Sequence, residues 1–252
     1  MAGSIATVTN SIAGVRRRPA DYSAGTGRTV VIAVDGPSGS GKSSAARGAA
    51  ADLGLRYLDT GAMYRAATWW LLEHDVDLAG TDSVIGYVRG LTIDISTDPG
   101  RQHVRVDGID VTAEIRNRRV SSVVSLVASI PAVRSQLIGL QRQIISEAVA
   151  VAGGIVAEGR DVGTVVAPDA DVKIFLTASE QARAARRTAE LAGHQVTVAA
   201  EVTRHEQAQR DQRDAPQTQV ASDAVRIDAT ELGLSDVIAC IVGLATSKRA
   251  DA

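Results

Sequence analysis

Short, continuous apolar runs alternate along the chain with stretches whose apolar residues recur at helical spacing. Residues 29–35, "TVVIAVD", are β-branched and apolar without alternation, the pattern of a parallel strand covered on both faces. A Gly-rich turn follows, and then the Ala-rich "KSSAARGAAADLG" predicts a helix stopped at Gly54. "LRYLDTG" predicts a short strand. "AMYRAATWWLLEHD" predicts a helix with Met63, Ala67, Trp70 and Leu71 on one side. "VSSVVSLVASI" and "PAVRSQLIGLQRQIISEAVAV" predict two helices, with the break at Pro131, a residue suited to the first helical turn. "GGIVAEGRD", "DVKIFLTAS" and "AVRIDAT" read as strands. "SEQARAARRTAELAG", capped by Ser179, the polar and mostly exposed "EVTRHEQAQRDQRD", and "LSDVIACIVGLATSK" read as helices. Strands alternating with helices give an α/β fold: a doubly wound parallel sheet with helices on both faces.

The period changes at 91–107. "LTIDIS" alternates, "TDPG" signals a turn, and "RQHVRVDG" alternates again. An antiparallel hairpin is foreign to a parallel core, so residues 84–118 are expected to form an inserted β-containing subdomain between core segments 29–83 and 119–252. Residues 1–28 are rich in Gly, Ala, Ser and Thr and carry Arg16, Arg17 and Arg18 after the apolar stretch, an order unlike a signal peptide. They are expected to be a disordered tail.

Composition narrows the function classes. The 252 residues are 45% apolar and 22% charged with a net charge of -2, which suits a soluble globular protein and gives no support to a nucleic-acid binder. No apolar run reaches the roughly 18 residues of a membrane span. The single cysteine, Cys240, reads as a core residue, and its solitude fits a cytoplasmic protein. The four histidines, His74, His103, His194 and His205, share no metal-ligand spacing.

The chemistry enters at Gly36, Pro37, Ser38, Gly39, Ser40, Gly41, Lys42, Ser43 and Ser44, which complete G-x-x-x-x-G-K-[ST] between a buried strand and a helix. Such a loop turns backbone N–H groups inward around phosphate oxygens at the positive end of the following helix. Lys42 would reach the terminal phosphates of ATP and the Ser43 hydroxyl would ligate Mg²⁺. The guanine-reading N-K-x-D is absent, and the chain is small for a mechanical ATPase. What remains is a small-molecule kinase. Arg65, Arg134, Arg160, Arg210 and Arg213 fall at predicted strand ends and the loops beyond them, so an anionic acceptor is expected. A nucleoside monophosphate needs no base to activate it, because its second pKa of about 6 leaves the attacking oxygen ionised. Water must still be excluded. That implies a short lid, about 183–200, in which Arg183, Arg186 and Arg187 lie at helical spacings, with Arg183 and Arg187 as candidate catalytic cations beside Lys42 and Arg160. A kinase for another acceptor, and a nucleotide-binding regulatory protein without transfer activity, stay open on these residues alone.

Three segments carry a resemblance: "IAVDGPSGSGKSSAARGAAADLGLRYLDTGAMYRA", "DVTAEIRNRRVSSVVSLVASIPAVRSQLIGLQR" and "IVAEGRDVGTVVAPDADVKIFLTAS" closely resemble bacterial cytidylate kinases. The likeness runs from about Thr29 to Thr230. It implies ATP-dependent phosphorylation of CMP and dCMP on a nucleoside-monophosphate-kinase fold, with residues 84–118, built on the 91–107 hairpin, as the CMP-binding insertion; a monomer is expected because no long apolar stripe is left over, with neither nucleic acid nor membrane as partner. It also implies that Ser125, Arg134 and Asp161 read the cytosine edge, that Arg65 and Arg160 bind the acceptor phosphate, that Thr60 keeps the hydroxyl of a substrate-binding position that is often Ser in the family, and that Arg210 and Asp214 lie near the sugar. Glu158 is implied to assist Mg²⁺ or water. One region departs. After "RDQRD" the chain is shorter than the family pattern, and Gln217 falls where the family has a further phosphate arginine; either Arg213 or a lid arginine substitutes, or acceptor affinity is weaker.

Overall fold

The computed structural model describes residues 29–193 and 200–250, with the side chains of 187, 190–193, 200–203, 206, 249 and 250 left aside. The expected tail at 1–28 and residues 194–199 of the expected lid lie outside the described residues.

The core sheet contains β1 (Val30–Asp35), β2 (Arg56–Asp59), β6 (Gly154–Gly159), β7 (Val172–Thr177) and β8 (Val225–Asp228) in the order β2-β6-β1-β7-β8. Every pairing is parallel. The register matters most at the carboxyl edge, where Asp35 pairs with Gly159 and Asp59 with Glu158. Parallel strands that end level set their last residues beside one crevice, the usual ligand position of open α/β sheets.

Helices cover both faces. On one, α1 (Lys42–Leu53) and α8 (Leu234–Ala250) bury Ala45, Ala49, Leu53, Val237 and Ile241 against β1, β7 and β8. The alanines let α1 approach closely. At Gly48 an added Cβ would fall 2.3 Å from the end of the Ile238 side chain, so a methyl group there would have to push that side chain aside. On the other face, α2 (Thr60–Glu73), α4 (Arg118–Ser129) and α5 (Pro131–Ala152) bury Met63, Leu71, Val124 and Leu137. Pro131 occupies the first turn of α5, and the two helix axes meet at 97°. Among the described residues no single helix is long and apolar enough to cross a membrane.

The antiparallel element is present and larger than the hairpin read from sequence. β3 (Ile93–Ile95), β4 (Val104–Val106) and β5 (Ile109–Asp110) form a three-stranded sheet, preceded by α3 (Thr81–Arg89). The third strand is folded back by Asp107 and Gly108, both at positive φ, the turn that an Asp-Gly dipeptide favours. This sheet has no separate core. Ile93, Ile95, Val104 and Val106 pack in the same apolar cluster as Met63 and Leu71, and the Tyr57 amide donates to the Thr97 carbonyl at 2.9 Å.

Beyond β6 the chain makes a rare π turn, Val162–Val166. α6 (Glu180–Gly193) starts at Ser179, whose hydroxyl accepts from the Ala182 amide at 3.3 Å. α7 (Ala200–Asp214) corrects the reading of a mostly exposed polar helix. Gln207 and Asp214 are buried and Arg210 is half-buried, because polar groups of α7 serve the phosphate loop and the cavity beside it. Cys240 likewise is half-buried at the margin of the α1–α8 cluster, not deep in the core.

Gly36 leads the phosphate loop at φ +149°, and a Cβ there would lie 2.0 Å from the Leu176 carbonyl oxygen of β7. Gly36→Ala is therefore expected to lower stability by about 2–4 kcal/mol, from backbone strain plus displacement of a core strand. Urea unfolding followed by circular dichroism measures it.

Candidate active site

The loop and the first turn of α1 surround the point where phosphates would sit. Gly41 caps the helix at φ 93° in the left-handed region. Gly39, at φ +75°, takes a backbone conformation that side chains rarely adopt, and a Cβ there would lie 2.5 Å from the Gln207 amide and 3.0 Å from the Arg183 carbonyl oxygen. Lys42 is buried, and its Nζ donates to the Pro37 carbonyl at 2.8 Å. The Ser43 hydroxyl donates to Glu158 Oε1 at 2.6 Å, with the Tyr57 hydroxyl 3.4 Å from the same oxygen. Burial pulls the Lys42 ammonium's pKa down, and the Arg160 charge adds to this. Burial pushes the Glu158 carboxyl up, with Asp59 adding to it. Each partly offsets the other's loss of solvation, so this is a charge pair held in a dry place.

A cavity opens next to this pair, and most side chains singled out in the sequence meet there. Ser38, Gly39, Lys42, Ser43, Thr60, Arg65, Ser125, Arg134, Arg160, Asp161, Arg210 and Asp214 line it, as do Glu158 and Gln217. The sheet edge delivers Glu158, Arg160 and Asp161. Thr60, the first residue of α2, is fixed by its hydroxyl donating to the Glu158 carbonyl at 2.8 Å. Arg65, one turn further on, donates from Nη1 to the Ile115 carbonyl at 3.1 Å and to Ser121 Oγ at 2.8 Å. Arg134, in the first turn of α5, pairs with the Asp161 carboxylate. Arg160 donates from Nη1 to the Gly36 carbonyl at 2.6 Å and from Nε to Asp214 Oδ2 at 3.1 Å. Ser125 donates to the other Asp214 oxygen at 2.7 Å, and Arg210 Nε lies 3.7 Å from Oδ2.

Other expectations fall elsewhere. Gly36, Pro37, Ser40, Gly41 and Ser44 complete the loop without lining the cavity. Arg183 is not on the cavity wall. It is buried, paired with Asp211, and donates to the Ser38 carbonyl at 3.0 Å, while Asp211 Oδ1 accepts from the Ser38 amide at 3.2 Å. In this arrangement it anchors α6 and α7 to the phosphate loop, because a buried guanidinium must satisfy its donors nearby. Arg186 is also engaged with the protein, donating to the carbonyls of Ser40, Ala229 and Leu232. The side chain of Arg187 lies outside the described residues. Arg213, an expected substitute at the Gln217 end, reaches the Ser122 carbonyl at 3.4 Å and does not line the cavity. Of residues 84–118 only Arg116 reaches the cavity wall; the 91–107 hairpin contributes nothing to it.

Sequence reading missed Asp59, Tyr64 and Arg116, which line the same cavity. Asp59 caps α2 by accepting from the Ala62 amide at 2.9 Å and stands 3.4 Å from Arg116 Nη2. The signal was available for Asp59, an Asx residue directly before a helix. Tyr64 immediately precedes Arg65. Nothing in the local pattern marked Arg116.

Asp35, the last residue of β1, is buried behind the cavity. Its two carboxylate oxygens accept from the amides of Val162, at 2.8 Å, and Gly163, at 2.7 Å. Burial pushes its pKa up to about 6, against the opposing pull of those two amides.

Loop, sheet and arginine-lined cavity define a P-loop phosphotransferase that acts on a small anionic acceptor. A family model described as cytidylate kinase matches residues 32–247. A cytidylate kinase from Streptomyces griseus is 47% identical over 221 residues, 88% of this chain and 94% of that one. One from Rhodococcus opacus is 48% identical over 215 residues, 83% of this chain and 92% of its own. Among solved structures, a shikimate kinase from Acinetobacter baumannii in complex with shikimate is a distant likeness, 13% identical over 87% of this chain and 94% of that one, with a TM-score of 0.42. The chain belongs to the cytidylate kinase family, and its activity is that of a nucleoside monophosphate phosphotransferase that uses ATP.

The Asp35 shift has a stability consequence. Between the ordinary carboxyl value and about 6 the folded state holds a proton that the unfolded chain releases, so stability falls as pH rises through that window. Asp35→Asn does not titrate there. The stability gap between wild type and Asp35→Asn is expected to shift by about 2–3 kcal/mol against wild type from pH 4 to pH 7, as read by urea denaturation at each pH.

Proposed function

We propose that the cavity is the CMP and dCMP site and that transfer runs from ATP on the Gly36–Ser44 loop to the acceptor phosphate. The carrying observation is the Asp161–Arg134 pair at one end of the cavity, with Arg65 and Arg160 on its wall and the Lys42–Ser43 turn opening into it. A carboxylate accepts from the exocyclic amine of cytosine and meets only an acceptor oxygen on uracil, so Asp161 selects cytosine. Arg134 holds that carboxylate in place and offers donors to the ring, with Ser125 alongside. Arg65, Arg160 and Thr60 hold the acceptor phosphate, whose oxygen is already ionised and needs no general base. Arg210 and Asp214 meet the sugar. Residues 84–118 act as the acceptor-side insertion through Arg116.

Lys42 gives up its contact with the Pro37 carbonyl for the phosphates of the donor. The phosphates favour its charged form, and Lys42 neutralises oxygens on which negative charge builds in the transition state. Ser43 and Glu158 fit Mg²⁺: two oxygen donors 2.6 Å apart at the helix start, one of them a carboxylate. Ser43 and Glu158 would hold the ion, which would supply positive charge to offset that of the donor's phosphates. Closure of the 183–200 lid keeps water from competing with CMP. The enzyme works as a cytoplasmic monomer, with no nucleic acid or membrane as partner.

Asp161→Ala is expected to lower kcat/KM for CMP by about 30–100-fold and leave ATP affinity within about threefold. Turnover of UMP equal to that of CMP in the wild type would end the Asp161 assignment. Lys42→Ala should cut kcat by at least about 100-fold with CMP affinity retained. Chelation of divalent ions should abolish transfer, with restoration by Mg²⁺, in a coupled ADP-release assay.

A further inference from the structure

The carboxylate that selects the base stands at the entrance of the π turn, a conformation rare enough to need a reason. The Asp161 carbonyl accepts from the Val165 amide at 2.8 Å, and the Ala167 amide closes the turn on the Val162 carbonyl at 2.7 Å. The turn is gripped at both ends from outside. At its start Asp35 takes the amides of Val162 and Gly163. At its end Arg142, on the outer side of α5, donates from Nε to the Val166 carbonyl at 3.1 Å and from Nη2 to the Val165 carbonyl at 2.7 Å. The fit at the start is close: a Cβ on Gly163 would lie 3.4 Å from Asp35 Oδ2 and 3.3 Å from Lys173 Cδ.

Neither residue lines the cavity, and no step of the transfer needs either. Both instead hold the turn that begins next to Asp161. Asp35 directly precedes Gly36, so one residue links the strand that launches the donor loop to the turn that carries the acceptor's carboxylate. Arg142 and Arg134 lie two turns apart on α5. The helix that supplies the partner of Asp161 therefore also pins the far end of its turn.

We propose that Asp35 and Arg142 are positioning residues for pyrimidine selection: together they clamp the Val162–Val166 turn and so hold Asp161 at the distance at which cytosine is told from uracil. This rests on the reading of Asp161 as the base-selecting group. Arg142 is exposed, so its removal leaves the core intact. Asp35→Asn presents an NH₂ group to one of two amides that both need an acceptor, which loosens the start of the turn with little change of volume.

The test is the ratio of kcat/KM for CMP to that for UMP, measured on the full chain for wild type, Arg142→Met, Arg142→Lys, Asp35→Asn and Asp161→Ala. The affinity for a non-hydrolysable ATP analogue and the melting temperature are recorded for each. The expected result is a fall in the ratio of about tenfold for Arg142→Met and for Asp35→Asn, since a misplaced contact loses part of what a deleted one loses. Arg142→Lys recovers part of it, and ATP-analogue affinity stays within about threefold of wild type. A ratio unchanged in Arg142→Met while Asp161→Ala collapses it overturns the clamp and leaves the reading of Asp161 standing. Equal loss for CMP and UMP in the clamp variants also overturns it, by making the residues structural only. A ratio unchanged in Asp161→Ala overturns both. If Asp35→Asn does not fold, Arg142→Met decides.

Discussion

The site depends on one guanidinium. Arg160 sits at the carboxyl end of β6 and joins three parts of the molecule: the first residue of the phosphate loop through the Gly36 carbonyl, α7 through Asp214, and the cavity that both border. Asp214 in turn orders Ser125 of α4 and stands near Arg210. A charge so placed is costly to bury and is tolerated only because its donors are used. Removing one partner of such a pair leaves the other uncompensated, at a penalty of about 3–5 kcal/mol. The phosphate loop, the cavity wall and α7 therefore form one electrostatic unit. The burial that makes this arrangement strict also pulls down the pKa of Lys42.

The same logic accounts for the crowding of charge at the carboxyl edge of the sheet. Parallel pairing sets Asp35, Asp59 and Glu158 close together, a repulsive arrangement unless each finds a separate counterpart. Asp35 takes two backbone amides, Asp59 takes a helix N-terminus and Arg116, and Glu158 takes Ser43 and the field of Lys42. Three carboxylates thereby acquire three different roles in the fold: shaping a turn, starting a helix and tying β6 to the start of α1.

Much of this was legible in the chain. Buried strands announce themselves by unbroken β-branched runs, and the phosphate loop by glycines whose positions backbone geometry compels. Arginines placed after strands converge because parallel strands end together. What was not legible depends on packing across distant segments. α7 is polar at nearly every position, so its sequence carries no sign of which polar groups are buried. Arg183 has the spacing of a lid arginine, and only the proximity of Asp211 and the Ser38 carbonyl shows it engaged with the loop. β5 is two residues long, too short for alternation to register, although the Asp-Gly before it was a usable sign. Arg116 lies in a polar stretch with nothing local to separate it from Arg118 and Arg119.

The fit of α6 and α7 over the loop has a consequence for what the chain can tolerate. In the general phosphate-loop pattern the fourth position is open to any residue, since a triphosphate asks for nothing there. In this protein Gly39 occupies it, and the neighbours that a side chain would meet are Gln207 and Arg183, groups that belong to helices rather than to nucleotide. The pattern is thus narrowed from the outside. A chain with a bulkier residue at that point could still grip a triphosphate, but only by holding that residue at positive φ with the Gln207 side chain turned aside, and variation there would be answered first by variation at 207.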